Sequence, residues 1–100
     1  MSDEQLTITA SITAQPDKRE LVKQSLLNLI PPTLAEEGCL NYDLHEDVEN
    51  PDHFFFYENW ATRQHWLNHN ESAHIASHKK ATEGAVLEVI IHQMKPFNLK

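Results

Sequence analysis

The sequence predicts a single α+β domain with the element order βαββαβ and a four-stranded antiparallel sheet. Two segments alternate apolar with polar residues, as strands with one buried face do, and they begin at Leu6 and Leu40. Between them, apolar residues recur at helical spacing. A length of 100 residues allows one hydrophobic core and no separate cofactor domain. We therefore expect one domain over residues 1–100, with 1–5 and 96–100 as peripheral tails.

The first strand is predicted from Leu6 to Ala14, where apolar side chains share one face and hydroxyl side chains share the other. A helix should then begin near Pro16, because Asp17 and Glu20 have the spacing of a capping box. The apolar stripe of this helix consists of Val22, Leu26, Leu29 and Ile30.

The end of this helix contains two consecutive prolines, Pro31 and Pro32. Proline has no backbone N–H donor and clashes with the preceding turn, so we expect the helix to break or kink here. A last turn should end at Gly38, because glycine is a common helix terminator.

A β-hairpin is predicted next. The alternating apolar residues of its first strand are Leu40, Tyr42, Leu44 and Val48. A turn at residues 50–52 then leads into a third strand from His53 to Trp60. One face of this third strand carries Phe54, Phe56, Glu58 and Trp60, and the other carries His53, Phe55, Tyr57 and Asn59.

Two short helices and a last strand complete the domain. Thr62 and Ser72 are predicted to cap the helices, and Gly84 should release the chain into a strand from Val86 to Met94. Helices would cover one face of the sheet and leave the other face uncovered. We expect that second face to be apolar and to be covered by a second copy in a homodimer.

Composition and charge exclude several classes of function. The chain has 15 acidic and 8 basic residues with no basic cluster, so nucleic acid is not an expected partner. No apolar run approaches the ~20 residues that span a bilayer, and we expect a cytoplasmic protein that does not bind membranes. Only two glycines are present, which excludes glycine-rich dinucleotide and phosphate loops. The single cysteine, Cys39, is expected to pack rather than react.

The segment 54–78 is the expected centre of the chemistry, because it contains both tryptophans and four of the seven histidines. Histidine titrates near neutral pH and is therefore suited to proton transfer. His65 with His69, and His74 with His78, have the i,i+4 spacing that can chelate a metal from one helix face. Each pair lacks a third ligand, so we predict no metal site and interpret His65 and His78 as surface or capping residues.

For four side chains of this segment, a structural role and a functional role both remain open. His69 and His74 lie at the break between the short helices, where they can turn inward or satisfy local hydrogen bonds. Trp60 is equally consistent with core packing and with a pocket wall. Glu58 is consistent with a solvated or ion-paired carboxylate near the strand end, which is the commoner outcome, and with a pocket residue.

Residues spread over most of the chain carry a resemblance to a known family. They are Gly38, Cys39, Leu40, Tyr42, Asp43, Leu44, His45, Pro51, Phe54, Phe56, Glu58, Asn59, Trp60, His69, Ser72, Ala73 and His74. Together they resemble the antibiotic biosynthesis monooxygenase family, in particular its quinol monooxygenase-like members. The most specific part is the E-x-W spacing combined with the H-x-x-x-x-H spacing.

The resemblance implies a ferredoxin-like protomer that forms a dimeric α+β barrel. It also implies oxygenation of a quinol, polyphenol or anthrone by molecular oxygen, without flavin, haem or metal. In this interpretation Trp60 supplies a stacking surface, and His69 or His74 supplies the base. The expected substrate-binding residues are Glu58, Phe56 and Tyr42. A small-metabolite isomerase and a non-catalytic ligand-binding dimer are the alternatives, since one fold supports many functions.

Overall fold

A computed structural model describes residues 4–97 and has the predicted order of elements. The strands are β1 (Leu6–Ala14), β2 (Cys39–Glu46), β3 (His53–Trp60) and β4 (Val86–Met94). The helices are α1 (Arg19–Leu34), α2 (Arg63–Asn70) and α3 (Ala73–Ala81). The predicted ferredoxin-like α+β fold is confirmed.

The four strands form one antiparallel sheet in the order β2-β3-β1-β4. The first strand therefore lies at the centre of the sheet, between β3 and β4. Its register pairs Leu6 with Trp60 and Ala10 with both Phe56 and Ile91. Residues that pair directly point to the same face, so the alternation along β1 assigns the faces of its neighbours as well.

The hydrophobic core lies between one face of the sheet and the helices. Its largest fully buried members are Trp60, Phe54, Ile8, Leu26 and Val22. The predicted helix caps are confirmed, because Thr62 Oγ1 accepts the backbone N–H of His65 and Ser72 Oγ accepts that of Ile75. These two caps begin α2 and α3 as separate short helices.

The face of the sheet away from the helices differs from the prediction. We expected it to be apolar, but the register shows a mixed face. Its apolar members are Phe55, Tyr57, Ile90 and Met94, and its hydroxyl, amide and imidazole groups include those of Thr7, Thr9, Ser11, His45, His53, Asn59 and His92. Large exposed apolar side chains are instead concentrated on both faces of the edge strand β4: Leu87, Val89, Ile90, Ile91 and Met94. The reason is visible in the sequence, since the residues that alternate with the core positions of β1 are threonine and serine.

Both ends of α1 differ from the expectation. Pro16 begins a short 3-10 turn, so Asp17 lies inside that turn and the N-cap residue is Lys18, which makes no side-chain cap hydrogen bond. At the other end, the helix continues through Pro31 and Pro32 to Leu34. The prolines lie in the last turns, where few backbone bonds are lost and where buried packing holds the helix.

The β2–β3 connection is longer than predicted. The strand ends at Glu46, and Val48 is fully exposed in the loop. Side chains hold this loop instead of strand pairing, because Asp47 accepts the backbone N–H of Glu49 and Asn50 accepts that of Asp52. Such local bonds compete with the strand that the alternating pattern predicts.

The predicted tails fall partly outside the described residues. Of the first tail, Gln5 donates a side-chain hydrogen bond to Asn59 Oδ1 at 2.8 Å. Within residues 4–97, no helix is long and apolar enough to cross a membrane.

Candidate active site

A cavity of about 530 Å³ lies between the sheet and the helices. Ile8, Ala10 and Ile12 of β1 form part of its wall, and the polar groups on its wall include Glu58 and His69. Lys79 and Asn70, both exposed, also line it, as do Val89 and Ile91 of the edge strand. A mostly apolar cavity of this size with few polar groups is typical of a small-molecule site.

Glu58 is a buried carboxyl group on the cavity wall, with an exposed fraction of 4%. Its Oε1 accepts a hydrogen bond from the indole Nε1 of Trp60 at 3.0 Å. Burial raises the pKa of Glu58 to about 7, although the Trp60 hydrogen bond lowers it and nearby Glu36 raises it further. The expected solvated or ion-paired carboxylate is therefore not found, and Glu58 can gain or lose a proton near neutral pH.

A second polar group is formed by two histidines that share one carboxylate. Glu36 follows the end of α1, His69 lies in α2 and His74 lies in α3. The same oxygen, Glu36 Oε2, lies 2.7 Å from His69 Nδ1 and 2.7 Å from His74 Nε2. The structure thus brings together both predicted histidines, through a residue that the sequence did not indicate.

The Glu36 contact determines which nitrogen of His69 carries its proton. A carboxylate oxygen only accepts hydrogen bonds, so the facing Nδ1 must be the donor. Burial lowers the pKa of His69, although the hydrogen bond to Glu36 acts in the opposite direction. At neutral pH this contact is therefore a hydrogen bond from a neutral imidazole. The other nitrogen, Nε2, makes no hydrogen bond to residues 4–97 and is left available to a molecule in the cavity.

Aromatic rings surround His69. The ring centroid of Trp60 lies 4.8 Å from that of His69, and Tyr42 makes an edge contact at 5.5 Å. Tyr42 in turn stacks on Phe56 at 4.3 Å, and both side chains line the cavity. Burial, reinforced by Glu58, raises the pKa of Tyr42 far above its ordinary value, so its phenol stays protonated.

Trp60 is placed differently from the predicted stacking surface. Its side chain is fully buried in the core and is not part of the described cavity wall. Its ring packs behind His69 and its N–H holds Glu58. The placement supports the core interpretation and gives Trp60 an orienting contact with both site groups.

The i,i+4 histidine pairs do not form the chelating sites considered from the sequence. His65 Nδ1 lies 2.8 Å from Thr62 Oγ1, and His78 Nδ1 lies 2.7 Å from Ser25 Oγ. Among residues 4–97, the group with three metal-ligand side chains close together is Glu36, His69 and His74. The two histidines of this group were singled out from the sequence, but they lie on two different helices and not four residues apart on one helix.

Cys39 lies near the site without the properties of a reactive thiol. It is half-buried, and burial together with the neighbouring carboxylates raises the pKa of Cys39 to about 11. The thiol is therefore protonated at neutral pH, as the packing interpretation expected.

Comparison with known proteins decides the family. Residues 5–81 match the family model described as antibiotic biosynthesis monooxygenase. The chain belongs to this family. The Escherichia coli protein named "Probable quinol monooxygenase YgiN" is 29% identical over 101 residues, which cover 91% of this chain and 97% of that protein.

Solved structures share the fold of this chain. The crystal structure of PA3566 from Pseudomonas aeruginosa has a TM-score of 0.92 and 31% identity, and the match covers 98% of this chain and 99% of that one. The structure of Rv0793 from Mycobacterium tuberculosis has a TM-score of 0.88 and 24% identity over 95% and 97% of the two chains. The Rv0793 likeness shows the fold alone.

Proposed function

We propose that this antibiotic biosynthesis monooxygenase family member is a cofactor-independent monooxygenase of a quinol, polyphenol or anthrone-like small molecule. The observation that carries the proposal is the geometry of His69, a buried residue whose Nδ1 donates to Glu36 and whose side chain lines a mostly apolar cavity. An oriented imidazole of this kind is a general base. The name of the Escherichia coli relative supports the same substrate class.

The chemistry needs little more than a base and a dry cavity. His69 removes a proton from the bound substrate, and the electron-rich anion then reduces molecular oxygen. One oxygen atom bonds to a substrate carbon, and the other is released as water after taking up protons. All the electrons come from the substrate, so the balance requires no flavin, haem or metal.

Glu58 has the properties of the partner acid in this scheme. Because burial raises its pKa to about 7, a large share of the carboxyl groups hold a proton at neutral pH. Both Glu58 and His69 line the same cavity. Glu58 would donate to the oxygen atom that leaves as water, and Glu36 would pass protons from His69 to His74 and so to solvent.

The active form in this proposal is a homodimer. The edge strand β4 exposes 57% of Leu87, 52% of Val89 and 50% of Ile91, which is unfavourable for a free edge. Val89 and Ile91 also line the cavity, so a second copy on this strand would close the cavity against water. Specific interfaces bury on the order of 1,000 Å² or more, which a sheet face and an edge strand can provide.

Oxygen uptake with a panel of reduced naphthoquinols and anthrones tests the proposal. We expect wild-type protein to consume oxygen with one of these substrates after treatment with EDTA, and His69→Ala to lose most of that rate. Turnover of a substrate without oxygen consumption would favour the isomerase alternative. Binding without turnover across the panel would favour a ligand-binding dimer.

A further inference from the structure

The cluster of Glu36, His69 and His74 combines two imidazoles with one carboxylate. Their ligand atoms all lie within 4.8 Å of one another, although the three residues come from three different parts of the chain. Two histidines and one carboxylate are a common donor set for zinc, with the fourth position taken by water. We propose that this cluster binds zinc(II), and that bound zinc inhibits the enzyme by removing the basic nitrogen of His69.

The geometry requires only a small rearrangement of side chains. Zinc lies 2.0–2.2 Å from such ligands, so ligand atoms around a tetrahedral ion are roughly 3.4 Å apart. The two contacts of 2.7 Å to Glu36 must therefore lengthen by several tenths of an ångström. Glu36 lies outside regular secondary structure, in the connection between α1 and β2, and its side chain is 16% exposed to solvent.

Zinc can reach this cluster from solvent without passing through the substrate cavity. The side chains of Glu36 and His74 are 16% and 22% exposed, whereas that of His69 is 4% exposed. His74 lines a second, smaller cavity, which does not include His69. Neither Glu36 nor His74 lines the substrate cavity, so zinc at the cluster would leave that cavity open to substrate.

Inhibition is expected because the two nitrogens of the His69 imidazole cannot both act as acceptors while one of them binds zinc. This step rests on the proposed function. Zinc takes the Nδ1 of His69, the nitrogen that now faces Glu36. A neutral imidazole bound through Nδ1 carries its proton on Nε2. The nitrogen beside the cavity then becomes a donor and cannot accept a proton from the substrate. Zinc should lower the rate of the chemical step while leaving substrate affinity nearly unchanged.

Calorimetry with zinc chloride and tag-free, EDTA-treated protein tests the binding site directly. We expect one zinc ion per chain, and affinity weaker by about 100-fold or more in His74→Ala and clearly weaker in Glu36→Gln. His65→Gln is the matched control, because it removes a histidine of α2 outside the cluster and should bind zinc as wild type does. Affinity should also fall as the pH is lowered, since protons compete for the histidine nitrogens.

The outcomes separate the site from the activity. Equal zinc binding by wild type and His74→Ala would overturn the proposed site, whether or not the protein oxidises any quinol. If zinc binds as expected and an active substrate is known, kcat should fall at saturating zinc with little change in KM. Unchanged turnover with zinc bound would overturn the inhibition and would contradict His69 as the base.

Discussion

Replacing Trp60 with phenylalanine should raise the pKa of Glu58 further. In the wild type, the indole N–H of Trp60 donates a hydrogen bond of 3.0 Å to the Glu58 carboxyl group, and it is the side-chain donor to Glu58 among residues 4–97. A hydrogen bond to a charged group contributes about 1.5–3 kcal/mol, and one pKa unit corresponds to about 1.4 kcal/mol. Removing the donor should therefore raise this pKa from about 7 by roughly one to two pH units.

The pKa of Glu58 can be followed by NMR titration of protein labelled with ¹³C at the glutamate side-chain carboxyl. The matched control is Trp66→Phe, since Trp66 is also largely buried and lines the cavity but makes no hydrogen bond to Glu58. An unchanged Glu58 pKa in Trp60→Phe would refute the reasoning. An equal rise in both variants would do so too, because it would assign the effect to loss of indole bulk.

Three further outcomes are expected. Glu58→Gln should be more stable than wild type at pH 8 by up to roughly 3 kcal/mol, and equally stable at pH 4. The reason is that folding raises the pKa of Glu58 from 4.5 to about 7, so the wild type loses stability as the pH rises between these values. Urea unfolding measures the difference in stability, and a difference that grows toward low pH would contradict the expected sign. His69→Ala should lower quinol-dependent oxygen uptake by about 100-fold without unfolding the protein, and His65→Gln should not; equal rates would remove His69 from the site. Light scattering at micromolar concentration should show a dimer for the wild type and for the control Val48→Asp in the exposed loop. The Ile90→Asp variant on β4 should be a monomer, because it places a charge on the proposed interface. A monomeric wild type would contradict the proposed dimer.

The sequence predicted the elements whose signals are local. The alternation along β1 and the caps at Thr62 and Ser72 depend on neighbouring residues, so their physics is visible in a short window. The errors at Asp17 and Val48 arose where turn hydrogen bonds compete with a regular pattern. These competitions are decided by a few contacts that a periodicity argument does not weigh.

The candidate site was predicted less completely, because some of its residues are far apart in the sequence. Glu36 is separated by 33 and 38 residues from the histidines that it joins, and nothing in its own neighbourhood indicates the contact. The hydrogen bond between Trp60 and Glu58 could have been predicted from the sequence, because residues two apart in a strand share a face. Whether Trp60 faced a ligand or the core depended on the packing of α2, which the strand pattern does not contain.

The strand order also determines when this domain can fold during synthesis. The central strand β1 is made first, yet its partner β3 begins at His53 and its other partner β4 begins at Val86. Until both partners have left the ribosome, the backbone groups of β1 cannot form all of their sheet hydrogen bonds. Contacts of such high sequence separation slow folding relative to a helical bundle of the same size. We therefore expect the nascent chain to stay open until β4 emerges, a period in which chaperones have access to β1.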